Sequence, residues 1–361
     1  MHVLFVSGEC RGGAPRSTTE LAARIASRGH RVTVVLGDRD DAPVVFQPGV
    51  RAAVKLAGTP MARPVTAVLR RLGRRGSTSG DEVRLVRAPI AANASARLLQ
   101  RERPDVVVVN SMPRIEARWI SEDAAAAGVP FVLYLRETHA VTHLTITGLR
   151  PAAVIANAAS LAEQVADLGP CPVIPSVVDT SLAEVESTRQ ALVLVNPIAE
   201  NRPELVLDIA ERCPDLTFVM QESWPLPEAE RQALVEAVAE RENVSLRAPV
   251  PGPADVLADA RVLLATESYG RPRVVLEAQS NGIPVLGLAH PLLVEAIGPG
   301  GTVVAPDAAP EALVEALRAM LEPAEYERLA GAARAHAARP EVDPDVIVDR
   351  FMRVLDEVVN A

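Results

Sequence analysis

Residues 2–36 place the strongest constraint on the fold. A β-branched run at 2–7 (HVLFVS) leads through a glycine-containing turn at 8–13 into a helical pattern at 17–28, which Gly29 stops; a second apolar run follows at 31–36 (RVTVVL). Strand, turn, helix and strand in so short a stretch is a βαβ unit, whose two strands must lie parallel because a helix separates them. The pattern returns with strands at 105–109 (DVVVV), 131–135 (FVLYL) and 152–156 (AAVIA). These runs are apolar without alternation, as strands must be when helices cover both faces of their sheet.

The second half repeats the scheme. Strands are expected at 191–195, 216–220, 243–246, 261–265, 283–287 and 302–304, with helices at 203–212, 227–240, 253–259, 272–281, 291–297 and 310–320. Two open α/β units follow, 1–180 and 181–342, with a junction near Pro175–Glu184. A last amphipathic helix at 343–361 carries Val346, Ile347, Phe351, Val354, Leu355 and Val358 on one side and is assigned to the first unit. Open parallel sheets take ligands beyond the carboxyl ends of their strands, so two such sheets facing across a cleft suit an enzyme joining two substrates, or a dinucleotide-type binder.

Composition excludes several classes. The chain has 361 residues, of which 37 are basic and 46 acidic, so its net charge of −9 argues against a nucleic-acid partner. Aromatic residues are 3% of the chain, too few for a series of base-stacking platforms. No apolar run approaches the ~18 residues of a membrane span, and the first residues lack the basic region and cleavage site of a signal peptide. Cys10, Cys171 and Cys213 have no metal-ligand spacing and read as reduced thiols in a cytoplasmic protein. Neither a metal nor a cofactor is expected. Lys55 is the sole lysine, so any other cationic role falls to arginine.

Four segments stand out. Gly8–Ala14 joins the first strand to its helix, and Gly12 and Gly13 let the backbone approach a ligand while the helix start offers free N–H groups. Arg136, Glu137, Thr138 and His139 follow the strand at 131–135, where polar groups meet a ligand-binding edge; His143, one helical turn on, reads as structural. The stretch from Thr266 to Val285 leaves a strand end and passes a Gly/Pro loop with Arg271 and Arg273. It then enters a helix with Glu277. Glu267 and Glu277 supply acceptors for sugar hydroxyls, and the arginines supply forked donors for phosphate. The fourth segment, Arg63–Arg75, is basic; it reads as a solvated helix face, or as a peripheral contact with anionic lipid or an anionic acceptor.

The Thr266–Val285 stretch resembles the signature of retaining family-4 glycosyltransferases of the GT-B fold, in which a glutamate, a glycine-rich loop and a second glutamate precede Gly-x-Pro-Val. The opening VLFVSGECRGGAPRSTTELAARIASRGHRVTVV, Ile155–Asn157 with Val178–Thr180, and Val195–Glu200 with the segment after it are similar to further parts of that family. The resemblance implies two Rossmann-like domains facing across a cleft, with the C-terminal helix crossing back to the first. It implies transfer of a sugar from a nucleotide-diphosphate donor, held mainly by the second domain, to a small-metabolite or lipid-linked acceptor on the first. It also implies retention of anomeric configuration and no metal. Residue by residue, Glu277 would bind the ribose, and Glu267 would take the first glutamate's place. Gly12 and Gly13 would approach the diphosphate or acceptor. Backbone around Leu293 and Glu295 would serve the donor, and His139 or Arg136 would lie near the reacting carbon. Nine residues rather than seven separate Glu267 from Glu277, and the family's phosphate-binding arginine and lysine align with Asn196 and Asn201. Arg202, Arg271 or Arg273 is therefore expected to supply the missing positive charge. A catalytically silent nucleotide-sugar binder, an activator of a partner enzyme and a nucleotide-sugar epimerase or hydrolase are the competing functions.

Overall fold

A computed structural model describes residues 1–10, 12–38, 83–110, 112, 114–147, 149–224, 226–266 and 270–361. Glu267, the Arg63–Arg75 patch and the side chain of His143 lie outside the described residues. The chain divides into one unit of Met1–Val177 with Pro344–Ala361 and a second of Val178–Asp343.

In the first unit, strands β1 (His2–Ser7), β2 (Arg31–Gly37), β3 (Val83–Ala88), β4 (Val106–Asn110), β5 (Phe131–Leu135) and β6 (Ala153–Ala156) form a parallel sheet in the order β3-β2-β1-β4-β5-β6. Helices α1 (Gly13–Ser27), α2 (Ala91–Glu102), α3 (Arg114–Ala127), α4 (Thr138–Thr147) and α5 (Ala159–Glu163) connect them. The strand order reverses between β1 and β4, the kind of position at which open parallel sheets take ligands beyond their carboxyl ends. Strand β3 was not anticipated: its sequence, VRLVRA, alternates charge with apolar groups because it lies at the edge of the described sheet. Arg84 and Arg31 both reach Glu102, which ties that edge together.

One face of this sheet is covered by α1 and by the C-terminal helix, Pro344–Val359. Val3 and Phe5 of β1, Leu21 and Ile25 of α1, and Ile347, Phe351 and Leu355 of the C-terminal helix share one buried cluster. The Phe351 ring lies 6.0 Å from that of Phe5 and 5.5 Å from that of Tyr134. Of the stripe read from the sequence, Ile347, Phe351 and Leu355 form this covering and Val354 and Val358 pack against it, whereas Val346 is exposed; Val348 and Met352, outside the stripe, are buried with them.

The second unit has β7 (Ala191–Val195), β8 (Thr217–Gln221), β9 (Val244–Arg247), β10 (Ala260–Ala265), β11 (Val285–Leu288) and β12 (Gly301–Val304), in the parallel order β12-β11-β10-β7-β8-β9. Its helices are α6 (Pro203–Arg212), α7 (Glu228–Ala239), α8 (Pro253–Leu257), α9 (Arg273–Ser280), α10 (Pro291–Ile297), α11 (Pro310–Leu321) and α12 (Pro323–Ala337). Two buried clusters, one on each sheet face, account for its unalternating strands. Helix α12 was missed because only Leu329, Ala330 and Ala333 of it are buried, which leaves almost no apolar stripe to read. The reversal in this sheet lies between β10 and β7.

Phe351 is fully buried, so Phe351→Ala removes a ring from the first unit's core. Urea denaturation should show a loss of about 3–5 kcal/mol. An unchanged midpoint would mean that the C-terminal helix does not belong to that core.

Candidate active site

The first unit's site is built from the chain segments leaving β1 and β5. Gly12 stands immediately before α1. Gly12 has φ 98°, a region that disfavours any side chain. Gly37, at the end of β2, is required by close packing: a Cβ there would lie 2.3 Å from the Gly8 carbonyl oxygen. The start of α1 has no side-chain cap. Its first N–H groups and the positive end of the helix dipole are therefore available to a ligand.

Arg136 follows β5 directly. It is 4% exposed, donates from Nη1 to the Ala14 carbonyl at 2.6 Å, and stacks over the Tyr134 ring at 4.6 Å. The Tyr134 hydroxyl in turn donates to the Ile174 carbonyl at 2.8 Å. A buried guanidinium needs such partners, and here they fix the first turn of α1 against β5. Arg136 thus lies against the start of α1, one residue beyond Gly13. The contact made by Arg136 holds the loop. His139 lies in the first turn of α4, half exposed, with Nε2 3.0 Å from Glu137 Oε2. Its pKa is raised by that hydrogen bond, with burial opposing and the charges of Glu137 and Glu9 adding to the rise. Glu9 of the glycine loop thus acts electrostatically on His139.

In the second unit, the carboxyl ends of β7, β8 and β10 are knitted together by side chains. Asn201 is buried, and its Nδ2 donates to the carbonyls of Val195 at 3.2 Å and Asn196 at 2.7 Å. The Thr266 hydroxyl donates to the Asn201 carbonyl. Asn196, at φ 58°, accepts from the Ser223 N–H at 3.1 Å. Both asparagines are thus engaged with backbone; a primary amide can brace strand ends without bringing charge into the core.

The arginines differ from one another. Arg202 caps the start of α6 with φ 49°, is part-exposed, and donates to the Pro306 carbonyl at 3.1 Å. Arg273 is the first residue of α9; its Nε donates to Glu277 Oε1 at 3.0 Å, and both side chains are buried. This i,i+4 pair orients the carboxylate. Arg271 is half-buried, and its charge adds to desolvation in pushing Arg339 down to about 10. It also contributes to lowering His336, after burial and Arg339. Leu293 has its side chain in the core, which leaves its backbone at the start of α10 for a ligand; Glu295 lies half-buried one residue beyond Val294. Asn281 secures the far end of α9, its Nδ2 donating to the carbonyls of Ala183 and Glu277. Sequence reasoning missed the bracing roles of Asn201 and Asn281 because their partners are carbonyls, which any residue supplies.

The chain matches the family model described as glycosyl transferase 4-like domain over residues 12–167, and that described as glycosyl transferases group 1 over 204–323. These two matches together span most of both units. The chain belongs to the GT-B glycosyltransferases. Among solved structures it is similar to HepE from Anabaena in complex with UDP and glucose. That likeness has TM-score 0.72 and 17% identity, and covers 99% of this chain and 100% of that one. It is also similar to sucrose-phosphate synthase from Thermosynechococcus elongatus, with TM-score 0.78, 13% identity and 99% of each chain covered. A third is the pneumococcal O-GlcNAc transferase GtfA in complex with UDP and GlcNAc, with TM-score 0.68, 11% identity, and 100% of this chain and 99% of that one covered. No curated protein matches the chain by sequence. Among the described residues of this glycosyltransferase, no helix is long and apolar enough to cross a membrane.

Because Glu137 is the largest cause of the raised His139 pKa, the stabilising pairing is complete below the ordinary histidine value and fades as pH rises through the raised one. Glu137→Gln should lower the His139 titration midpoint followed by NMR, toward about 6.5. An unmoved midpoint would show that the pair does not form.

Proposed function

We propose that this glycosyltransferase moves a sugar from a nucleoside-diphosphate sugar to a small or lipid-linked acceptor with retention of configuration. The donor lies at the carboxyl ends of the second unit's strands, and the acceptor at those of the first. The observation that carries this reading is Glu277: a buried carboxylate in α9, the helix after β10, beside the β10/β7 reversal and held in one orientation by Arg273. A fixed carboxylate is the group that vicinal ribose hydroxyls need as an acceptor. UDP and sugars are bound by HepE and GtfA, and both share this fold.

In this reading Arg273 serves the donor through Glu277, while Arg202 and Arg271 face the departing diphosphate. The α10 backbone around Leu293 and Glu295 completes the anion contacts. Pre-oriented donors of this kind stabilise charge as it develops, without a metal. Glu267, His139 and Arg136 are assigned to the reacting sugar. Treatment with EDTA should leave turnover intact.

A second reading, a silent binder of nucleotide sugars, is favoured by one observation. Asn196 and Asn201 are committed to backbone, so neither supplies the charge that the family's basic pair supplies. Release of nucleoside diphosphate from a panel of nucleotide sugars separates the two: turnover supports the transferase, and binding without release supports the silent protein.

Glu277→Ala removes charge-assisted hydrogen bonds worth about 1.5–3 kcal/mol each. Calorimetric titration should show donor affinity falling at least about tenfold. Wild-type affinity in that variant would overturn the ribose assignment.

A further inference from the structure

In the first unit, three buried side chains carry polar atoms with no hydrogen-bond partner among the described residues: Ser7 Oγ, Asn110 Nδ2, and both Nδ2 and Oδ1 of Asn93. Asn93 is 4% exposed, and Ser7 and Asn110 are more deeply buried still. Proteins rarely leave such atoms unpaired, because removing a polar group from water without a partner is costly. Their placement is not scattered. Ser7 and Asn110 are the last residues of β1 and β4 and are register partners across the strand-order reversal. Asn93 lies in the first turn of α2, five residues past the end of β3. All three therefore sit at the carboxyl end of one sheet, the end at which open parallel sheets take ligands.

The chemistry of these atoms is mixed and uncharged. An amide offers donors and an acceptor together, and a hydroxyl offers both. Both signs of charge stand at the same end, with Arg87 exposed near the end of β3. Glu9 follows β1, Glu137 follows β5, and the buried Glu116 accepts from the Ala92 N–H at 3.2 Å, beside Asn93. Against them Arg136 is engaged with the Ala14 carbonyl and the Tyr134 ring, and Arg16 with Glu20 at 3.2 Å. Groups that both donate and accept match the hydroxyls of a neutral sugar.

We infer that the carboxyl end of the first unit's sheet binds an uncharged polyhydroxylated acceptor, a free saccharide or polyol, with the Asn93 amide as its specificity-determining contact. This rests on the glycosyl-transfer reading and narrows its acceptor. Ser7 and Asn110 contribute hydroxyl and amide donors from the strand ends.

The test supplies the full-length enzyme with the nucleotide sugar it consumes and offers neutral mono- and disaccharides and myo-inositol, glucose 6-phosphate, and a polyprenyl-diphosphate-linked glycan. Transfer to a neutral compound is expected. Asn93→Ala should then raise the acceptor KM by about tenfold or more, while the donor KM stays within about twofold. Asn93→Leu replaces an unpaired amide with an apolar group of similar size, so without acceptor its Tm should rise. Transfer confined to the phosphorylated acceptors overturns the inference, as does an unchanged acceptor KM in Asn93→Ala. A lowered Tm in Asn93→Leu marks a structural role and overturns it too. If no nucleotide sugar is consumed, the glycosyl-transfer reading fails, and this inference fails with it.

Discussion

Both sheets of this molecule are parallel and covered by helices on both faces, and that covering decides where polar chemistry can reside. A strand buried on two sides has no wet face, so charged and hydrogen-bonding side chains are driven to its ends. At the carboxyl ends the helices begin, their unpaired N–H groups point outward, and the strand-order reversals separate the loops. Asn196, Thr266 and Glu277 in one unit, and Ser7, Asn110 and Arg136 in the other, gather there for that single reason.

Positive charge is handled sparingly. Arg136, which is buried, bonds the Ala14 carbonyl, and the largely buried side chain of Arg273 bonds Glu277. The first bond holds the start of α1, and the second orients a carboxylate. Breaking a buried pair such as Arg273–Glu277 typically costs about 3–5 kcal/mol, since the surviving charge is left without a partner. The asparagines at 196 and 201 brace strand ends with no such risk. Arg202 and Arg271, which the proposed function turns toward the diphosphate, are less buried.

The strands were readable from sequence because their apolar runs are continuous: the expected 191–195 coincides with Ala191–Val195, and 131–135 with Phe131–Leu135. Strand β3 escaped because Arg84 and Arg87 break its apolar run, and α12 because it buries so little. Helix α1 starts at Gly13, four residues ahead of the expected 17, since Pro15 fits a first helical turn without loss of a needed N–H. Within the site, the Arg273–Glu277 pair could be read as two residues one helical turn apart. The Arg136–Ala14 bond could not, because a carbonyl partner 122 positions away leaves no mark in side-chain identity. Asn93 and Asn110 were silent for a related reason: an asparagine in a helix or at a strand end looks the same whether paired or not.

Amide hydrogen exchange, with UDP, GDP, ADP and dTDP added in turn, tests most directly whether the second unit's strand ends form the donor site. One of the four should slow exchange within residues 196–203 and 289–295, the stretches that span the β7–α6 and β11–α10 connections. Slowed exchange at the amino ends of the same strands, or no change anywhere in Val178–Asp343 with any of the four, would contradict it.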